Sequence, residues 1–536
     1  MKKLKLVCVA IAMAGAAPTF AGGLLTNTNQ HVAFNRMMSR EASIGIDGVY
    51  YNPAGVVFMG EGHHLAINWQ LAYQTRTINN DYKLFTNNVN NPITPRDFKG
   101  KAFAPVIPSF QYAYNKGKWS FQANFALTGG GGKCTFDDGL GSFEKIVSET
   151  AIAACGLAGV VDQTLGNTLG QPGMEMFTSD QAFGKTGKYS FNSYMHGRQY
   201  YYGLSVGAAY KFCDNFSAFL GVRGVYALTN YYGYVENINV GNMPLYKVLD
   251  PSKETAANIE LSCDQSGVGF TPIIGVDYKT GRWNFSAKYE FKTRIRLKNK
   301  SVNQTPSIGN LPANLANQMT GILTAKYQQA GLPLEQAKQQ AENTTNAVLN
   351  DPTVGATMMG LKTQFDQKLN KAIGEYEDGK KIAGDIPGYL ALGIGYSPVD
   401  AVRVNVGFHW FDDKNATSYN NRNKELKRGT LEYNAGVEVD VNKKITLSTG
   451  WQNTNYGLSD EYMDDKSFVV GSNSAAIGGV YHINKKMDLN VAYFHTFYQH
   501  KKTSETVQLA ADKSIVYNSD YTRNNNVFAV GLDINF

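Results

Sequence analysis

Beyond its first 21 residues the chain lacks the long apolar runs of a helical membrane protein. No stretch is read as reaching the roughly 18 apolar residues a spanning helix needs, and the mean hydropathy is −0.30. An excess of one charge is missing too. The formal net charge of +7 falls to +4 once Lys2, Lys3 and Lys5 are set aside with a leader, too little to argue for nucleic acid. Cysteine is scarce, at five. Cys8 opens an apolar run rather than following one, which argues against a lipoprotein. Cys134, Cys155, Cys213 and Cys263 lack metal-site spacing, so a metal is not expected. In an oxidising envelope Cys134 and Cys155, both placed in one long loop, are the expected disulfide. The eight histidines are scattered, and His63-His64 is the only adjacent pair. No nucleophile and base pattern surrounds them, so neither an enzyme nor a cofactor is expected.

What is abundant points elsewhere. Thirty-two Tyr and fifty-four Gly suit membrane interfaces, where an apolar ring needs a wet hydroxyl, and the turns and crowded lumen of a barrel. The chain closes on Val527 to Phe536, in which Phe528, Val530, Leu532, Ile534 and Phe536 share one strand face while Asp533 and Asn535 take the other. That is the length and pattern of an outer-membrane strand, which spans in about 9–11 tilted residues. A terminal aromatic resembles the tail by which bacterial barrels are recognised by their assembly machinery. At the other end, Lys2-Lys3-Leu4-Lys5, an apolar run from Leu6 to Ala17 and Thr19-Phe20-Ala21 read as a signal peptide over 1–21.

Between these ends the alternation predicts fourteen strands. Short turns fall at Asn115–Lys118, Cys213–Asn215, Lys279–Arg282, Pro398–Asp400, Asn442–Lys444 and Asn484–Lys486, and they alternate with long connections. A soluble sandwich also alternates, but long loops confined to one end favour an outer-membrane, multi-pass barrel in lipid. The first strand, Leu65–Tyr73, is expected to pair with the last. Two regions do not read as strands. Residues 22–62 are small and polar, long enough to plug a lumen, and 63–536 form the barrel. The loop at about 301–380 carries Leu315, Met319, Ile322 and Leu323 at helical spacing, then Ala337, Ala341 and Val348, then Leu361, Phe365, Leu369 and Ile373. A weaker patch, Phe143, Ile146 and Val147, lies in the loop at about 129–194. These stripes either pack loop helices on one another or form an apolar groove for a greasy ligand. The expected fold is therefore all-β: a 14-stranded antiparallel transmembrane β-barrel with an N-terminal hatch and partly helical extracellular loops.

Tyr50-Tyr51-Asn52-Pro53-Ala54-Gly55 resembles the Asn-Pro-Ala hatch segment of the FadL family, the fatty-acid and hydrophobic-compound transporters of Gram-negative outer membranes, and Ala42–Gly48 resembles the stretch before it. The resemblance implies passive uptake of a hydrophobic small molecule. Ligand is caught on the extracellular loops, passes to a pocket behind the hatch and leaves sideways through a gap at the third strand. Here that strand is Trp119–Leu127, followed by Thr128, Gly129 and Gly130, where a glycine run can break pairing. Arg223, Lys288, Arg294 and Arg403, read as facing inward, either receive a ligand carboxylate or pair with Glu290, Glu432, Glu438 and Asp440. Asn52, Pro53 and Ala54 are the expected hatch motif. The competing reading is a FadL-like barrel acting as a scaffold in secretion or surface assembly, and a hydrophilic porin is disfavoured by the hatch. A monomer is expected.

Overall fold

The computed structural model describes residues 24, 26–306, 308–510 and 513–536; the expected signal peptide lies outside them. Fourteen antiparallel strands close into a barrel. They are β1 Gly62–Tyr82, β2 Arg96–Lys116, β3 Trp119–Phe136, β4 Tyr189–Lys211, β5 Phe216–Val240 and β6 Ile259–Thr280. Then come β7, Trp283–Glu290 continued by Arg296–Gln304, and β8, Lys381–Ala383 continued by Tyr389–Val399. The set is completed by β9 Val402–Phe411, β10 Thr430–Asn442, β11 Ile445–Asn455, β12 Ser472–Asn484, β13 Met487–Tyr498 with its extension Lys501–Ala510, and β14 Lys513–Asn535. The seam is the expected one: Trp69 pairs with Val530 and Leu71 with Phe528. At its foot the His63 and Phe536 backbones exchange both N–H donors, at 2.8 and 2.9 Å.

Alternation becomes architecture directly. On β1 the residues Ala66, Asn68, Gln70, Gln74 and Arg76 are buried inside, while Ile67, Trp69 and Tyr73 are exposed on the lipid side. The short turns all lie at one end, and Gly117 and Gly281 take positive φ there, which a Cβ would oppose. Strand lengths are uneven. β1 to β6 and β14 run 18 to 25 residues and β9 to β12 run 10 to 13, so one side of the wall rises well above the belt that lipid requires.

The other end is capped by helices: α3 Gly141–Thr168, α4 Leu311–Gln329, α5 Leu334–Leu349 and α6 Pro352–Ile373. Inside the lumen sit α1 Val32–Met37, α2 Gly48–Tyr51 and a 3-10 turn at Gly55–Phe58. The helix α3 differs from expectation. It has 28 residues where only a weak patch was read, and by length and composition it is apolar enough to cross a membrane. It lies instead buried in the cap. Its small residues, Ala151, Ala153 and Ala158 among them, let it pack closely without a strong stripe to announce it.

Candidate functional site

Three features lie along the barrel's interior. The first is an apolar cavity of about 130 Å³ in the cap, lined by Ile146, Val147 and Leu157 of α3, Ile238 and Ile259 of the wall, Leu311 and Leu315 of α4, and Leu361 of α6. Its floor near Phe177 is fixed by Asp162, which accepts N–H bonds from Met176, Phe177 and Thr178 at 2.8–3.0 Å. Of the four expected groove residues only Leu315 lines this cavity. Met319 and Leu323 are buried, and Ile322 is 38% exposed. The stripe thus packs the loop helices on one another, and Leu315 also lines the cavity. The side chains of Phe365, Leu369 and Ile373 lie outside the described residues.

The second feature is the hatch, residues 26–61, bonded to the wall from several sides. Asn52 Nδ2 donates to Asp277 at 2.6 Å, the Pro53 carbonyl accepts from Gln122 at 2.7 Å, and the Ala54 carbonyl accepts from Ser217 at 2.7 Å. All three motif residues thus touch the barrel. Farther along, His409 of β9 sits between Glu41 of the hatch, 2.7 Å from Nε2, and Glu432 of β10, 2.8 Å from Nδ1, with all three buried. Arg36 pairs with Glu438, and Arg40 pairs with both Asp47 at 2.7 Å and Glu438 at 3.1 Å.

The expected carboxylate receivers are placed by these pairs. Arg223 holds Glu290 through two nitrogens, at 2.6 and 2.9 Å, and Lys288 bonds Glu290 at 3.0 Å and the Tyr50 carbonyl at 2.6 Å. Arg403 is taken up by Glu438 and Asp440. Arg294 does not face inward: it is exposed, because β7 breaks after Glu290 and resumes with the opposite residues buried, Thr293, Ile295 and Leu297. A one-residue change of phase turns every side chain over. The expected bridge is also corrected. Cys134 and Cys155 are separate free thiols, Cys134 on the inner face of β3, which runs to Phe136, and Cys155 on α3 donating to the Phe183 carbonyl at 3.4 Å.

The third feature is a break in the wall. β2 and β3 pair from Lys116↔Trp119 to Phe110↔Phe125 and again from Phe103↔Lys133, and between these points no residues are partnered. Residues 104–109 of β2 face residues 126–132 of β3, six against seven. Two causes are local. Pro105 and Pro108 have no N–H to give a ladder, and β3 bulges against β4 at Leu127/Gly129 and Gly130/Gly132, with Gly130 at φ +71 and Gly131 at φ +130. The glycines were legible in the sequence. The prolines, equally visible in Ala104-Pro105-Val106-Ile107-Pro108, were the missed signal.

The start of the hatch bonds both lips of this break. Asn27 donates from its backbone to the Thr128 carbonyl at 2.9 Å and from its side chain to the Leu127 and Gly130 carbonyls at 3.2 and 2.7 Å. On the other side the Gln30 carbonyl accepts from Ser109 at 2.6 Å and Gln111 at 2.9 Å. Beside the break lies an apolar patch of the lumen: Met38, Ala72, Ile107, Leu127, Phe494 and Val527 belong to one buried cluster.

With closed wall, hatch, cap and break described, comparison with solved structures decides the fold. A Pseudomonas aeruginosa FadL homologue superposes with a TM-score of 0.57 at 13% identity, over 96% of this chain and all of that one. The chain has the FadL-type fold. A mutant of the monoaromatic hydrocarbon channel TodX gives a TM-score of 0.51 at 13% identity, over 94% of this chain and 98% of that one. No protein-family model and no curated protein matches the sequence. The FadL-type barrel, with its lipid-facing apolar belt, is an outer-membrane, multi-pass architecture.

Proposed function

We propose that this protein is a passive outer-membrane channel for hydrophobic small molecules. Ligand is caught in the apolar cap, moves down past the apolar patch beside the hatch, and leaves sideways through the β2–β3 break into lipid. The observation that carries the reading is the break itself: six residues against seven, unpaired, held by Asn27 and Gln30 and flanked by the buried cluster of Met38, Ile107 and Leu127. Unpaired backbone in a membrane wall is costly unless it lines a path or is covered from within. A lateral exit also suits an apolar solute, which then avoids the aqueous periplasmic side. The hatch stands in the lumen and is tied to the wall by the ion pairs of Arg36, Arg40 and His409, which argues against a hydrophilic porin.

The test is mass spectrometry of small molecules that co-purify with the detergent-extracted protein, paired with uptake by cells expressing it. An apolar ligand and faster uptake support the reading. A stable protein partner with no apolar ligand would replace it with the scaffold role.

A further inference from the structure

On the barrel's outer face the lipid belt has two aromatic edges. Near the short turns they are Trp119 of β3 and Tyr210 of β4, with ring centroids 4.8 Å apart; towards the cap they are Tyr200 and Tyr202 of β4, stacked at 5.8 Å. Tyr210 and Tyr200 stand ten residues apart on one strand face. That is about 33 Å along the strand and about 25 Å once the strand tilts, the height of an outer-membrane belt. The next outward position beyond Tyr200 is Arg198. It is exposed, and its register partner on β3 is a second exposed cation, Lys133. Lys133 in turn faces Phe103 of β2, which puts Lys101, also exposed, on the adjoining diagonal, about 7–8 Å away. Like charges directly opposite on a sheet face repel. Lys99, the next cation up β2, is taken by Asp97 at 3.2 Å, whereas Lys101, Lys133 and Arg198 have no ion-pair partner among the described residues. The first acid along this register row, Asp264 of β6, accepts instead from Asn230 at 2.8 Å.

At the same level beside the seam the outer face is neutral, with Thr75 of β1 opposite both Lys101 and Asn524 of β14. A second run of cations, Arg296, Lys298 and Lys300 of β7, is partly answered: Arg296 bonds Asp385 at 2.8 Å, and Lys300 has Asp264 as its register partner. The unanswered cluster is therefore gathered on β2 to β4, and Lys133 belongs to the pair at which the ladder resumes above the wall break. Immediately below it on the outer face, Phe103 and Val106 are 55% and 62% exposed. The cations thus border apolar wall on the membrane side and water on the other. We propose that Lys101, Lys133 and Arg198 bind the phosphorylated head group of an outer-leaflet lipid, whose chains lie down the wall over Phe103 and Val106. Ammonium and guanidinium groups donate to phosphate oxygens through charge-assisted hydrogen bonds, and long cationic side chains at the edge of an apolar belt reach the head-group layer. Charge complementarity selects the head. The apolar surface beneath selects a lipid over a free phosphate, which leaves Phe103 and Val106 untouched. A lipid held there also covers from outside the stretch that β2 and β3 leave unpaired.

The site depends on the barrel's place in the outer membrane and not on uptake. The experiment is titration of the full-length protein in non-ionic detergent, read by native mass spectrometry, with lipid A carrying its phosphates and with lipid A stripped of them. Wild type should bind the phosphorylated form about tenfold or more tightly than the stripped one, the scale of a charge-assisted hydrogen bond. The double substitution Lys133→Gln with Arg198→Gln should remove that preference and leave binding of the stripped form unchanged, with the barrel's heat-modifiable gel mobility confirming its fold. Lys300→Gln, outside the cluster, should keep the preference; its loss there would move the site to β7 and overturn this one. Equal wild-type affinity for the two lipids overturns the site without any variant, and a folded double variant that keeps the preference does so as well. Displacement of bound lipid A by an equal concentration of inorganic phosphate would make the occupant a free anion and overturn the lipid.

Discussion

The carbonyl oxygen of Met37 occupies the space that a Cβ on Gly450 would need. The same oxygen lies against Gly436, the register partner of Gly450 on the neighbouring strand. The last turn of the hatch helix is thus seated in a notch made by two glycines of the wall, and only glycine leaves room for it. Gly450→Val should unseat α1 at a cost of about 1–3 kcal/mol, the range for overfilling a packed site. The barrel should still assemble, while residues 32–47 become accessible to protease and the resting conductance in planar bilayers rises. Unchanged protection of that segment would show that the hatch is held without the notch.

His409 joins hatch and wall through two carboxylates, an arrangement that calls for both ring nitrogens to donate. His409→Ala leaves Glu41 and Glu432 buried against each other, and breaking such a cluster costs about 3–5 kcal/mol. Hydrogen exchange across residues 39–47 should accelerate. Adding Glu41→Gln to the variant should recover part of the loss, because one of the two orphaned charges is then removed.

A pH dependence follows from Asp413, in the connection after β9. Burial, with Asp412 nearby, pushes its carboxyl up from 3.8 to about 6, even though the Thr430 and Leu24 N–H groups donate to it at 2.9 and 3.1 Å. A carboxyl raised by folding binds its proton more tightly folded than unfolded. Its favourable contribution is complete below about pH 4 and is lost as pH rises towards 6. Two units correspond to about 3 kcal/mol at most. The thermal midpoint should fall over that window in wild type and fall less in Asp413→Asn; parallel curves would place the titration elsewhere.

The wall break makes an arithmetic prediction. Deleting Gly131 leaves six residues on β3 opposite the six of β2 and removes one of the two bulges against β4. Amide protection should appear in residues 104–109, other than at the two prolines, and uptake of an apolar probe should fall several-fold. Retained uptake with a protected wall would exclude lateral exit.

Much of this layout is readable in the residues themselves. Alternation over Leu65–Tyr73 and Val527–Phe536 gives the seam, and Asn442-Lys443-Lys444 and its counterparts give every short turn, because a half-buried strand and a tight turn each have a local chemical signature. Asn52, Pro53 and Ala54 fall in the segment inside the lumen, and each bonds the wall. Arg294 was misplaced because alternation was carried across a strand break that shifts the phase by one residue. The Cys134 position was misplaced because Gly129–Gly132, which looks like a loop, continues as bulged strand. Arg76 was legible as inward-facing.

Asn27 and Gln30 have a consequence for how the molecule moves. They give β2 and β3 the bonds that those strands do not give each other. Plug and wall therefore share one hydrogen-bond inventory. Withdrawing residues 27–30 opens carbonyls on β3 to the membrane, and drawing the two strands together displaces residues 27–30. On the proposed lateral route a ligand that shifts either one would work on both, which ties occupancy of the lumen to opening of the wall through the same few bonds.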